Sequence, residues 1–506
     1  MTDAPSTLRL GDEDSVAVAL ADLDRGAPVD GSLRATEFVP RGHKVALRDL
    51  AGGEPVLKFG VPIGVATVAV AAGSHVHSHN LAFRPVPVAH GHRLRNSGNP
   101  QPPASGATFE GYPRADGRVG TRNVLLVMAT VNCSATVARR IAERFRATVD
   151  LADVPGIDGV VALTHQHGCS VRADGPGMDL LRRTLGGYAR HPNVAGVLVV
   201  GLGCEDNQAD AFLAAAGLRA SDTLAVRLIQ DEGGTAATIA AGVAALTGML
   251  PRATARRTRV AARHLVLGVQ CGGSDGFSAI TANPALGHAA DRLVADGGTV
   301  ILSETPEIYG AEQLLLDRTP DPVVAARLTA LLSWWTEHAG RDGGTLDNNP
   351  SPGNRQGGIT TILEKSLGAV VKGGSSPLRA VVGYAEPVTT SGLVFMDSPG
   401  YDPVSATGQV ASGANLICFT TGRGSCFGCA PAPALKVATR TDLFRRMRDD
   451  MDLDAGTILD GVETADAVGA RIYRALLDTA SGRLTASERL GYGEEEFAPW
   501  TPGLTY

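Results

Sequence analysis

Four cysteines follow apolar runs in the same manner: VLLVMATVNC ends on Cys133, VVALTHQHGC on Cys169, VLVVGLGC on Cys204 and LVLGVQC on Cys271. Each run has strand character, and each thiol sits beside Gly, Ser, Asn or His. His165 and His167 precede Cys169, Glu205 and Asp206 follow Cys204, and Ser274 and Asp275 follow Cys271. In an open parallel sheet, ligands bind beyond the carboxyl ends of the strands. The pattern therefore predicts all four thiols at one functional edge. Thiolate, imidazole and carboxylate together suit a soft or borderline metal such as iron. The competing reading is packing, since cysteine is a common small buried residue at sheet ends. His75, His77 and His79 in AGSHVHSHN form a second set. Strand alternation would put all three on one face, as metal ligands, as a substrate-gripping edge or simply as an exposed polar face.

A third group consists of polar residues framed by glycine: RADGRVGTRN, CGGSDG, NPSPGNRQGG, KGGSS and FTTGRGS. A polyhydroxy acid needs many hydrogen bonds and a cation for its carboxylate. Arg122, Arg355, Lys365 and Arg423 are the candidate cations. Turn chemistry alone would also produce such motifs. Cys426 and Cys429 form a CxxC with no second pair to complete a zinc site, which favours packing or a peripheral role. His90 and His92, in a Pro-rich stretch, read as incidental.

The elements that must position these residues fall into distinct segments. Residues 1–82 carry short β-branched runs separated by Gly, Pro and charged turns, the grammar of a small all-β module. Residues 83–109 are rich in Pro, Gly, Ser and Asn and read as an extended linker. From residue 110 apolar runs alternate with helical patterns such as SATVARRIAERFRATV and PGMDLLRRTLGGYARH, which predicts α/β architecture with mainly parallel sheets. The basic stretch PRATARRTR suggests a break, giving a first α/β domain over 110–250 and a second over 260–506 with Gly-rich loops at its active site. The 506 residues exceed one hydrophobic core. With 46 basic and 52 acidic residues the formal charge is −6, no electrostatic footprint for nucleic acid. The polar, acidic start is unlike a signal or transit peptide, and the apolar stretch from Val61 to Gly73 is too short to span a bilayer. A cytoplasmic chain with reduced thiols and no membrane partner is expected; assembly into a homo-oligomer is compatible with it.

In order along the chain, TFEGYPRADGRVGTRN, HQHGCS, GLGCEDNQ, QCGGSDGFSAITANPALG, SETPEIYGAEQLL, NPSPGNRQGGITTILEKSLG and FTTGRG resemble the altronate and galactarate dehydratase family of sugar-acid hydro-lyases. The N-terminal module, ending in HVHSHN, resembles a SAF (β-clip) domain. The resemblance implies dehydration of a hexonate or hexarate to a 2-keto-3-deoxy acid with Fe(II) or another divalent metal; an iron–sulfur cluster is the less favoured alternative. HVHSHN is similar to altronate dehydratases, whereas QCGGSDGFSAITANPALGHAADRLV is at least as similar to the galactarate branch, so altronate leads and galactarate follows. Two departures from both branches stand out: His167 where a Tyr is usual, and SCFGC in place of a Thr-Pro-aromatic-Gly stretch. A sulfolactate-type sulfo-lyase and a non-catalytic sugar-acid sensor are the alternatives. Elimination needs a base for the α proton, an acid for the β hydroxyl and a cation against the developing charge. The expected roles are His165 as base, Glu205 or Asp275 as acid or as a partner that orients the reacting groups, and a metal held by some of Cys133, Cys169, Cys271 and His77. Arg122, Asn132, Ser274, Asn283, Asn354, Lys365 and Arg423 are the expected substrate-binding set, and the β module is expected to close over the site.

Overall fold

A computed structural model describes residues 6–84, 102–341 and 343–504; His90 and His92 lie outside these. The N-terminal module is all β, as its composition predicts. Val16–Ala19 pairs antiparallel with Lys44–Ala46, which in turn pairs with His75–Val76. Pro55–Lys58 and Val61–Ala66 form a hairpin closed by Phe59 and Gly60 at φ 60° and 75°. Two positive-φ residues make the primed turn that matches strand twist.

The module is docked rather than tethered. The buried ammonium groups of Lys44 and Lys58 both reach Glu364 of the large domain, at 2.8 and 2.7 Å. Burial alone would raise the Glu364 carboxyl, but the two lysines outweigh it and hold it far below the usual carboxylate range. Glycine lets the backbones meet: a Cβ on Gly276 or Gly358 would fall 2.1 or 2.2 Å from the Gly42 carbonyl oxygen. Two of the glycine-framed motifs thus serve as seats for the module. Glu364→Gln leaves two buried ammoniums uncompensated and should destabilise the chain by about 3–5 kcal/mol, read as a lowered urea midpoint. Because the folded-state value is depressed, Glu364's contribution is present above its unfolded value and lost as pH falls toward the folded one. The midpoint of the wild type should therefore drop in acid, and that of Glu364→Gln should drop less.

The linker expected over 83–109 ends earlier than its composition suggests. Thr108–Pro113 is a strand, paired antiparallel with Thr258–Ala261 and with Val119–Gly120. Before it, Ser105 donates through both N and Oγ to Asp296, each at 2.6 Å. The basic stretch 251–259 holds the end of the Thr235–Ala253 helix, which runs through Pro251, then four residues outside regular structure and the start of the Thr258–Ala261 strand. Strand pairing overrides composition here. That helix is long and apolar enough to cross a membrane by length and composition. One face of it nevertheless packs inward, with Gly242 against Ile141 and with Leu246 and Met249 in the core.

Two parallel sheets carry the rest. The smaller has the order Gly159–Leu163, Val124–Ala129, Val194–Gly201, Leu224–Leu228. The larger has seven strands, in the order Leu378–Val382, Gly392–Met396, Thr299–Leu302, Val266–Cys271, Leu416–Thr421, Ala434–Ala438, Leu453–Asp454. Their near-continuous apolar runs are buried on both faces by helices, as parallel sheets require. Asn132–Thr148 and Pro176–Ala189 form where helical periodicity predicts them. The Thr235–Ala253 helix, rich in Ala and Gly, gave no comparable signal.

Candidate active site

The three adjacent strands Gly392–Met396, Thr299–Leu302 and Val266–Cys271 open at their carboxyl ends on a cleft of about 430 Å³. Cys271, Gly272 and Gly273 line it from one strand end, Glu307 from the next, and Tyr401 and Asp402 from the third. Asn349, Asn354 and Lys365 complete the wall. Lys365 Nζ donates to Glu307 Oε1 and Asn349 Oδ1, both at 2.7 Å. Lys372 Nζ donates to Cys271 Sγ at 3.0 Å and lies 3.4 Å from Glu304 Oε2.

These neighbours drive three carboxyl groups apart. Burial opposes ionisation of Glu307, but Lys365 and Lys372 outweigh it and hold the group charged. Burial, reinforced by the charge of Glu307, pushes Glu304 well above the carboxylate range. The same two causes, in the same order, lift Asp402 to about 7. Carboxyls pushed apart by their surroundings are the pattern of acid–base chemistry at neutral pH. Glu304 also takes a left-handed backbone, φ 73°, costly for a residue with a side chain. The residues around it hold it in that conformation.

A second group faces the same region from the β module. Ligand nitrogens of His43, His75 and His77 all lie within 4.8 Å of one another. His43 Nδ1 and His75 Nε2 are 3.0 Å apart, about the spacing of two nitrogens bound at ~2.1 Å to one ion. His43 Nε2 is 3.1 Å from the Gln356 carbonyl oxygen, to which its N–H donates in that tautomer. That bond turns Nδ1 inward, the outer-shell arrangement of metal-bound imidazoles. His77 Nδ1 is buried without a hydrogen-bond partner. Three imidazoles so arranged fit a ferrous or similar divalent ion. Burial, then the neighbouring cationic groups, lowers His75 and His77 to about 3, so both are neutral bases. Alternation rightly puts His75 and His77 together, their rings stacked at 5.5 Å. His79 lies within the turn from His77 to Asn80 and is exposed; its ring is 5.3 Å from that of His75, but its nitrogens do not join the trio.

One short helix joins the two groups. Pro352–Gln356 presents Asn354 to the cleft and Gln356 to His43. Arg423 Nη2 donates to Gln356 Oε1 at 2.9 Å, leaving its charge on a neutral acceptor at the cleft mouth. Gly273, on the cleft floor, lies under the Arg423 side chain.

The structure redistributes the residues expected from sequence. Ser274 lies in the inner wall with its hydroxyl buried and unpartnered, Asn354 and Lys365 line the cleft, and Arg423 is exposed beside Gly273 of the cleft. Asn283 is a strut, donating to Gly368 O and accepting from Thr420. Asp275 is not a free acid: Ser278, the Phe277 amide, Thr439 and Arg440 surround its oxygens. Arg355 is held by the carbonyls of Pro350 and Asp347.

Arg122 sits just before the amino end of its strand and is consumed by Glu488 and by the Thr121, Thr479 and Arg483 carbonyls. Substitution Arg122→Met should leave KM within about twofold and cost about 2–3 kcal/mol of stability. A large rise in KM would restore its substrate role.

The single edge of four cysteines divides in two. Cys133, Cys169 and Cys204 follow strands of the smaller sheet, whereas Cys271 belongs to the larger one. Burial pushes the Cys271 thiol up, and the Lys372 ammonium occupies the side a cation would take. Cys271 is therefore a poor metal ligand. His165, Asn132 and Glu205 lie with the other three thiols, away from the acid–base cleft. His165 is buried beside the Ala129 and Thr130 backbone and lowered to about 4 by that burial and by His167. Glu205 accepts from Thr130 Oγ1 and from the Leu202 and Gly203 amides, so it folds a loop. Cys429 is buried in the core and Cys426 is exposed, consistent with a packing or peripheral role.

Glu304, Glu307, Asp402, Lys372 and His43 escaped the sequence reading. Glu304 follows its strand just as Cys271 ends its own, and the same rule of strand ends could have found it in SETPEIYG. His43 becomes visible only through the pairing of Val45 with His75.

Three families match the chain in succession: Altronate/galactarate dehydratase SAF domain over residues 5–84, D-galactarate dehydratase/Altronate hydrolase, second domain, over 111–254, and D-galactarate/Altronate dehydratase, C-terminal, over 262–505. Altronate dehydratase of Escherichia coli (strain K12) is 36% identical over 97% of this chain and 98% of its own length. Altronate dehydratase of Bacillus subtilis (strain 168) is 34% identical over 99% of both chains. Galactarate dehydratase (L-threo-forming) of Escherichia coli (strain K12) is 37% identical over 94% of this chain and 93% of its own.

Proposed function

Since the chain belongs to the altronate/galactarate dehydratase family and is a carbon–oxygen hydro-lyase, we propose that it dehydrates a hexonate or a hexarate, altronate first and galactarate next, in the cleft at the carboxyl ends of the large-sheet strands. The observation that carries this reading is a group of carboxyls at two adjacent strand ends, Glu307 and Asp402 lining the cleft and Glu304 buried behind it, with Lys365 2.7 Å from Glu307 and Lys372 3.4 Å from Glu304. Burial and the charge of Glu307 push Glu304 and Asp402 up while the lysines hold Glu307 down.

Asp402 accepts the α proton, and its neutral-range value suits both taking and returning it. Glu304 supplies a proton to the β hydroxyl, so the C–O bond breaks with loss of water. The enol left behind becomes the 2-keto-3-deoxy acid on tautomerisation. Lys365 and Asn349 hold Glu307 charged, which keeps Glu304 protonated. A divalent ion held by His43, His75 and His77 would supply positive charge against the substrate carboxylate. Arg423 steers that carboxylate to the mouth. Lys365 and Lys372 already face Glu307, Glu304 and Cys271. One guanidinium on a neutral acceptor matches one carboxylate, which supports a hexonate over a hexarate.

The test is to incubate the full chain with Fe(II) and altronate, galactarate or sulfolactate, reading 2-keto-3-deoxy product and sulfite separately. The expected result is product from altronate at the highest kcat/KM and no sulfite. Sulfite release would favour a sulfo-lyase, and binding without turnover of any acid would favour a sensor; either overturns the reading.

A further inference from the structure

The proposed chemistry leaves the smaller sheet without a task, yet three thiols converge at its carboxyl edge. The strands Gly159–Leu163, Val124–Ala129 and Val194–Gly201 are adjacent and parallel, and each is followed within a few residues by an exposed cysteine. Cys169 and, more weakly, Cys204 lie within electrostatic reach of Cys133. All three are free thiols. Their loops are tied together: Asp206 N donates to Cys169 O at 2.9 Å, Asn132 N to His167 O at 2.8 Å, and Val171 N to Asp206 Oδ2 at 2.9 Å. Glu205 folds the Cys204 loop, and Gln230 Nε2 donates to Cys204 Sγ at 3.4 Å.

Cys133 is the second residue of the 17-residue helix Asn132–Thr148, which has neither a side-chain cap nor an acid in its first turn. The positive end of the helix dipole lies at Cys133 and offsets part of the cost of a thiolate there. His165, neutral and buried, presents an Nε2 with no hydrogen bond of good geometry, although the Ala129 and Thr130 carbonyls lie near.

The spacing distinguishes between metals. Among the described residues, the clusters whose ligand atoms all fall within 4.8 Å are the histidine trio and the Cys271 group. The three thiols are spread more widely than ligands of one tetrahedral ion, as on an ion with Zn–S bonds of about 2.3 Å. A polynuclear centre, in which each thiolate binds a different iron, suits that spread. We infer that Cys133, Cys169 and Cys204 hold a [4Fe–4S] cluster, leaving a fourth iron at an exposed surface without a protein thiolate and open to an oxygen ligand. This centre is separate from the histidine trio and does not depend on the cleft chemistry.

The test uses the full chain, purified without oxygen and reconstituted with Fe(III), sulfide and dithiothreitol, whose oxidation to the disulfide supplies the electrons that bring the iron to the mixed-valence cluster. The expected yield is about four acid-labile sulfides and four irons per chain, besides any iron at the histidines, with the visible absorbance of a cluster and an electron paramagnetic resonance signal on reduction. Cys133→Ser, Cys169→Ser and Cys204→Ser should each lose most labile sulfide, whereas Cys426→Ser should keep it. A His75→Ala, His77→Ala double variant should lose mononuclear iron and keep its sulfide. A folded wild-type chain that takes up no labile sulfide, or binds only zinc, overturns the cluster; this holds even where a serine variant fails to fold. Sulfide content is independent of turnover, so a chain inactive on every sugar acid would leave this result standing.

Discussion

Asp402→Asn is expected to lower kcat about 10³-fold, within the range assigned to a positioned general base, with little change in binding of the sugar acid. The amide keeps the shape of the side chain and cannot accept the α proton. The pH profile supplies a second readout. A base must be deprotonated to act, so kcat/KM of the wild type should rise with pH through about 7, where burial and the charge of Glu307 set Asp402. In Asp402→Asn that limb should disappear from the residual rate. A variant with full activity, or an unchanged acidic limb, would remove Asp402 from the proton transfer. The effect is expected to be large because the substrate carbanion forms beside an existing carboxylate, leaving no weaker base in the cleft able to compete.

Loss of the histidine trio should be comparably severe. His75→Ala and His77→Ala should each reduce kcat/KM by at least about 10³-fold, since a divalent cation contributes several kcal/mol to charge stabilisation. Excess Fe(II) should restore activity partly in the single variants and not in the double. Chelation of the wild type should produce the same loss, reversed by Fe(II). His79→Ala serves as the contrast, because His79 lies outside the trio and is exposed. Its activity should stay within about twofold of wild type, the range of a surface substitution. Equal losses in His79→Ala and His77→Ala would mean that the histidines act as a polar surface rather than as a ligand set.

Much of the fold could be read from residue patterns because the patterns are local. Apolar runs buried on both faces signal parallel strands, and the helices over 132–148 and 176–189 show their period directly. What escaped was set by long-range pairing: the strand at Thr108–Pro113 has a composition like a linker and is fixed by residues 258–261. The site followed the same division. Strand-end logic located Cys271 and its neighbours, and alternation located His75 and His77. Which sheet each strand joins is not a local property, so Cys133 and Cys169 could not be separated from Cys271 by spacing. Acid–base roles were harder still, because they depend on charge packed around each group. Asp402 owes its value to burial and Glu307, contributed by a different strand end. Arg122 shows the reverse error: an arginine in a glycine-framed motif looks like a carboxylate anchor until Glu488, 366 residues away, takes both of its ends.

We place sugar-acid dehydration in the cleft at the carboxyl ends of the large sheet, with its metal on the histidines of the β module. The most direct measurement is iron anomalous diffraction from Asp402→Asn crystals grown with Fe(II) and altronate. The expected density is an iron peak between His43, His75 and His77, with the sugar acid in the cleft lined by Lys365 and Tyr401 and its carboxylate toward Arg423. Sugar acid bound at the smaller sheet beside Cys133 and His165, with neither iron at the histidine trio nor ligand in the large-sheet cleft, would contradict it.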